Sequence, residues 1–158
     1  QALAREPGNF YALFGLADCY RGLNEPEQSL VYWNRILDRD PSNKVILTRA
    51  GDAYRSMGEL DEAESCYRKA LQIDDDLYAS LGLAIVARNR GDFAQALDML
   101  ETLRDQQPEN HRVFAELAHS YAQSGSPRDA VTVLASFLEA GRSHAYIQEL
   151  LERYRREA

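Results

Sequence analysis

Small residues return along this chain at a nearly fixed interval, and that interval constrains the fold more than any other feature. Ala17, Gly51, Ala84 and Ala118 stand 34, 33 and 34 residues apart. Other columns move with them. Four residues earlier come Leu13, Leu47, Ser80 and Phe114; three later come Tyr20, Tyr54, Ala87 and Tyr121; seven later come Asn24, Gly58, Gly91 and Gly125. A second small column reads Ser29, Ala63, Ala96 and Ala130. Bulky columns follow it at Trp33, Tyr67, Leu100, Leu134 and at Ile36, Ala70, Leu103, Phe137. A chain of this kind builds one structural unit several times, and each unit buries its apolar face against the next.

Within each unit the apolar residues recur at three and four, the period of a helix. The glycine column ends a first helix where a left-handed residue is required, and Asn24 is the next best residue for that place. Pro26 and Pro127 fall in the first turn of a second helix, where a missing N–H costs nothing. Pro41 and Pro108 follow the second helix and close their units. The small columns let helices approach closely and the aromatic columns fill the space beside them. Each unit is therefore expected to be a helix, a tight turn and a second helix.

This pattern resembles the tetratricopeptide repeat family, whose signature is a 34-residue helix–turn–helix with small, aromatic and terminal-proline columns. The resemblance covers nearly the whole chain, with units at 10–43, 44–76, 77–110 and 111–144, and 1–9 as the tail of a preceding unit carrying Ala2-Leu3 and Pro7. The departures are Ser80 and Ala87 in the third unit and Asp75 in place of a closing proline. The resemblance implies an all-α, right-handed helical-repeat solenoid forming one continuous domain. About nine full helices are expected, with a helical stub at 1–6 and no strand. The segment 145–158 leaves the pattern. Ile147, Leu150, Leu151 and Tyr154 make one apolar stripe, as a capping helix at the end of a solenoid requires. Arg153, Arg155 and Arg156 suit the carboxyl end of that helix through its dipole.

Charge and composition narrow the function. A formal net charge of -7 argues against a general nucleic-acid binder, whose footprint is basic. The longest apolar stretch, near Leu83 to Ala87, is far below the ~20 residues that span a bilayer. No phosphate-binding glycine loop, H-E-x-x-H or G-x-S-x-G is present. Cys19 and Cys66 fall at different phases and read as small buried or half-buried hydrophobes. His111, His119 and His144 have no partner at metal-ligand spacing. Asp74-Asp75-Asp76 lacks the alternation, glycine and terminal glutamate of a calcium loop and reads as a solvated connection. Neither an enzyme, a cofactor nor a metal is expected.

What the resemblance implies is protein binding, with the first helices lining a concave groove that receives a peptide or a helix. Projected here, the groove holds Tyr11, Phe14, Asp18 and Arg21; Val45, Thr48, Arg49, Asp52 and Arg55; Tyr78, Leu81, Ile85 and Arg88; and Arg112, Ala115, Glu116, His119 and Gln123. Five of these are arginines and three are acidic, a positive balance on a negative protein. Asp18–Arg21 and Asp52–Arg55 lie three apart and are placed to pair with each other. Arg88 has Ile85 at the matching place and is expected to be an unpaired cation among apolar neighbours. The groove is then either a track for an acidic segment or a solvated face, and His119 either a groove contact or a plain surface residue. Some arrays of this family clamp a chaperone tail with Lys and Asn at set positions. Phe14, Asp18 and Thr48 stand there instead, so that adaptor role is disfavoured.

Three classes of work stay open: an adaptor module, a scaffold that self-associates through its amino edge near Leu13, Leu16 and Tyr20, and a regulatory or substrate-recruiting arm of a larger enzyme. Residue 1 is expected inside a helix, so the natural chain is expected to begin earlier. Cytosol is the default compartment and the periplasm stays open.

Overall fold

Left-handed residues stand at every position of the glycine column, and Gly141, outside it, is a fifth with φ 82°. Asn24 has φ 57°, and Gly58, Gly91 and Gly125 have φ 79°, 84° and 93°. These turns follow α1 (Pro7–Gly22), α3 (Lys44–Ser56), α5 (Leu77–Asn89) and α7 (His111–Gln123). They lead the chain into α2 (Pro26–Arg39), α4 (Leu60–Ile73), α6 (Phe93–Gln106) and α8 (Pro127–Glu139), and α9 (Ala145–Glu157) closes the order. The structure, a computed structural model, describes residues 7–158; among the described residues there are nine helices and no strand. The stub expected at 1–6, with Ala2-Leu3, lies outside them. Pro7 is the first residue of α1, the helical position where proline is most at home.

Side-chain caps mark several of the other helix starts. Asn43 accepts from the Ile46 N–H at 3.2 Å, and Asn110 accepts from those of Arg112 and Val113 at 3.0 and 3.2 Å. Asp76, read from the sequence only as part of a solvated run, accepts from the Ala79 N–H at 3.0 Å. It joins Asp74 in ion pairs with Lys44 at 3.9 and 3.7 Å. The acidic run is thus the cap of α5 and a charge tie to α3. Such caps satisfy donors that a helix leaves unpaired at its first turn.

The chain divides into two compact units, one ending at Val86 and one beginning at Ala87. In the first, Ala17, Trp33, Ile36, Ile46 and Ala50 form a buried cluster, with Phe14 edge-on to Trp33 at 5.2 Å between ring centroids. In the second, Phe114 and Phe137 meet at 5.0 Å, and the stripe Ile147, Leu150, Leu151 and Tyr154 of α9 is buried. Both small columns and the bulky column of Trp33, Tyr67, Leu100 and Leu134 are buried throughout. The two cysteines differ: Cys66 is half-buried, whereas Cys19 is exposed rather than part of the core. No helix among the described residues is long and apolar enough to cross a membrane.

Tyr67 shows why the small positions must be small. A Cβ on Gly51 would lie 2.7 Å from its ring, and one on Gly82 would clash more severely with the hydroxyl end of the same ring. The phenol of α4 is therefore wedged between the backbones of α3 and α5. Overpacking of this kind costs ~1–3 kcal/mol. Gly82→Ala should accordingly lower unfolding stability by about 2 kcal/mol or more. Gly15→Ala, in the exposed middle of α1 with nothing near the added carbon, should raise stability by ~0.5–1 kcal/mol. Equilibrium urea unfolding reads both; changes of the same sign would remove the wedge as the explanation.

Candidate protein-interaction surface

The first helices carry the residues singled out from the sequence, and the structure sorts them into three kinds. Thr48, Leu81, Ile85 and Ala115 are buried, so they are core residues rather than contacts for a partner. The Thr48 hydroxyl donates to the Lys44 carbonyl at 3.1 Å. Phe14 is half-buried against Trp33. Tyr11, Val45 and Tyr78 are 70%, 52% and 55% exposed, and they occupy one repeat column on α1, α3 and α5, all within the first compact unit.

The charged residues are mostly tied to one another. Asp18 and Arg21 pair at 2.7 Å, as their spacing implies. Asp52 and Arg55 also pair, at 3.4 Å, but their main partner is one the sequence did not point to. The Tyr67 hydroxyl donates to Asp52 Oδ1 at 2.5 Å, and Arg55 Nε donates to the Tyr67 oxygen at 3.1 Å. Burial, with Asp52 alongside, holds the Tyr67 phenol well above its ordinary range and keeps it a donor. Arg49 is half-buried and makes no hydrogen bond or ion pair among the described residues.

Arg88 corrects the sequence reading. It is not an unpaired cation. Its Nη1 donates to Glu116 Oε2 at 2.8 Å and to the Glu116 carbonyl at 3.2 Å, and its side chain is only 9% exposed. The partner sits one helix pair further on, 28 residues away, so no rule about neighbours on the same helix could find it. The Arg88 Nε, also buried, has no hydrogen-bond partner.

His119 is neither a groove ligand nor a plain surface residue. Its Nδ1 lies 2.5 Å from the Tyr154 hydroxyl and its Nε2 lies 3.2 Å from that of Tyr146. A neutral imidazole, with one donor and one acceptor nitrogen, satisfies both phenols. Burial pushes its pKa down, Glu116 opposes that, and Arg88 and Arg153 add to it. His144 caps α9 by accepting from the Tyr146 N–H at 3.2 Å, and His111 stacks on His144 with ring centroids 3.7 Å apart. Burial first, then His144, also lowers the His111 pKa. All three histidines of the sequence therefore help attach α9. Arg112 and Gln123 are exposed, and Glu116 is held by Arg88.

With that geometry in hand, known proteins sharpen the picture. Family models of the tetratricopeptide repeat match residues 11–43, 45–77 and 87–154. No curated protein matches by sequence. Similar solved structures include a tetratricopeptide repeat protein from Parabacteroides merdae ATCC 43184, with a TM-score of 0.85 at 23% identity, covering 97% of this chain and 60% of that one. YrrB, described as a TPR protein with an unusual peptide-binding site, has a TM-score of 0.65 at 19% identity over 97% of this chain and 79% of its own. A mutant O-GlcNAc transferase of Thermobaculum terrenum has a TM-score of 0.76 at 19% identity, over 86% of this chain and 27% of its own. The chain thus spans 60% of the first of these proteins and about a quarter of the transferase. The likeness shows the fold: an all-α helical-repeat solenoid.

Two outcomes follow from the buried contacts. Arg88→Ala leaves Glu116 buried without its cation and should cost about 3 kcal/mol of unfolding stability. Arg21→Ala, whose side chain is 47% exposed, should cost less than ~1 kcal/mol. Chemical denaturation compares them; equal losses would contradict the burial argument. The second outcome concerns acid. His119 binds its proton less readily folded than unfolded, so its contribution is complete above pH ~6.5, the ordinary imidazole value. It is lost as pH falls through that value toward the lowered folded pKa. Urea midpoints should drop between pH 7.5 and 5.5, and His119→Gln should make the drop shallower. An unchanged pH dependence in that variant would remove His119 as a source.

Proposed function

The chain belongs to the tetratricopeptide repeat family, and from that premise we propose that it is an interaction module whose first-helix face receives a peptide or helix of a partner protein, in an adaptor or assembly role. One observation carries the reading. Folding leaves Tyr11, Val45 and Tyr78 exposed at the same column of three successive first helices. Repeated apolar side chains on one face are what a partner's side chains dock against. YrrB, a TPR protein described as having an unusual peptide-binding site, supports the same use of the fold.

A second reading is favoured by the transferase, in which a region with this fold is part of an enzyme: the module is the recruiting arm of a larger protein. The two readings share the binding face and differ only in what it is attached to. Self-association through α1 is a third use of the same chemistry, since Leu16 and Leu23 are also exposed.

Peptides selected from a random displayed library against the wild-type protein give the ligands for a direct test. Replacing Tyr11, Val45 and Tyr78 together by Ser should weaken them at least tenfold, about 1.4 kcal/mol, with little change in thermal midpoint. Val31→Ser, at an exposed position on α2, should leave binding unchanged. Equal binding by wild type and the triple variant would overturn the assignment of the face. Sedimentation at rising concentration reads self-association separately.

A further inference from the structure

We propose that the cleft between α2 and α4 is a second docking site, one that takes an arginine side chain of a partner protein against Glu62. It lies apart from Tyr11, Val45 and Tyr78 and uses none of them. The cleft has a volume of about 350 Å³, lined by Asn34 and Leu37 of α2, Leu47 and Tyr54 of α3, and Glu62 and Lys69 of α4, among others. Helix α3 packs on both α2 and α4 and forms its floor. A space of that size is at the lower end of the ~300–1,000 Å³ of ligand pockets, room for one long side chain.

The second compact unit shows what the equivalent positions do when the chain supplies the arginine itself. Moved on by two repeats, as from Ala17 to Ala84, the positions of Asn34, Leu37, Tyr54 and Glu62 become those of Glu101, Arg104, Tyr121 and Asp129. There the Tyr121 hydroxyl donates to Glu101 Oε1 at 2.8 Å, and Arg104 pairs with the same carboxylate. The bond to Glu101 first, then burial, pushes the Tyr121 pKa up to about 12; Asp129 adds to the rise and Arg104 opposes it. Four equivalent positions thus act on one hydroxyl, and a guanidinium is among them.

In the first unit the carboxylate of Glu101 is replaced by the amide of Asn34 and the guanidinium of Arg104 by the side chain of Leu37. The side chains of Asn34, Tyr54, Glu62 and Lys69 make no hydrogen bond or ion pair among the described residues. What lines the cleft is therefore a carboxylate, an amide carbonyl, an aromatic ring and a leucine, without the cation. An incoming arginine suits each of them. Its guanidinium takes Glu62 and the Asn34 carbonyl as acceptors, the Tyr54 ring offers a cation–π face, and Leu37 receives the methylene stem. A lysine ammonium lacks the planar fork that serves two acceptors at once. Lys69 lines the same cleft seven residues along α4 from Glu62, a helical rise of ~10 Å, so salt screens most of its repulsion. The net charge of -7 also favours a basic partner.

The 15N-labelled protein is titrated at pH 7 with N-acetylarginine methylamide. N-acetylcitrulline methylamide is the neutral isostere, and N-acetyllysine methylamide is a cation of the same charge. The arginine compound should shift the backbone amides of residues 60–69 saturably, with a dissociation constant in the millimolar range, and more strongly than either control. Glu62→Gln should weaken that binding roughly fivefold, as loss of a half-exposed ion pair does, with unchanged helix content. Asn34→Glu combined with Leu37→Arg rebuilds the arrangement of the second unit and should abolish the saturable shift; Glu62→Gln carries the test by itself if that double variant does not fold. Serine at Tyr11, Val45 and Tyr78 should leave arginine binding unchanged, which separates this site from the first-helix face. No saturable shift, shifts confined to residues away from the cleft, an equal response to either control, wild-type affinity in Glu62→Gln or in the folded double variant, or loss of binding in the serine variant would each overturn the proposal.

Discussion

The wedge of Tyr67 between Gly51 and Gly82 is the contact on which the first compact unit most depends. One ring touches the helix before it and the helix after it, so a single side chain sets how closely three helices pack. Close packing of this kind works only when the facing residues lack side chains of their own. The hydroxyl at the ring's far end then needs a partner, and Asp52 with Arg55 supplies it. A position that reads as a bulky core column therefore reaches the polar side chains of α3, and two residues that read as groove charges help to hold the core.

That exchange of roles alters what the face offers. Local pairing and long-range pairing between them engage Asp18, Arg21, Asp52, Arg55, Arg88 and Glu116. Exposed pairs contribute little to stability and leave little charge over for a ligand. The first helices of the first unit also expose Tyr11, Val45 and Tyr78, and Arg49 there is half-buried. In the second compact unit the corresponding polar atoms are turned inward, where Glu116, Ser120 and the histidines connect α7 with Arg88 and α9.

The sorting of α7 shows how different the two levels are. His119 and Glu116 lie on the face that a helical wheel marks as available, and both are taken by residues 27 to 35 positions away. Sequence spacing carries information about partners three or four residues distant, because a helix makes them neighbours. It carries none about partners on other helices unless the repeat places them there. Tyr146 had no periodic signal at all, and Trp33 read only as a filler of space.

The turns that end the first helices, the left-handed Asn24, the proline starts of α2 and α8 and the buried small and bulky columns were all legible in the amino-acid sequence. Each follows from a local rule: backbone sterics at a turn, an unneeded N–H at a helix start, or an apolar residue at helical period. Family membership was legible for the same reason, since a repeat states its local rules four times. Which arginine lacks a partner was not. Arg88 and Arg49 differ in their surroundings on neighbouring helices, not in their own sequence context, and the energy of a charge is set by what lies within a few ångströms of it in space. Only the packed structure brought Glu116 to Arg88.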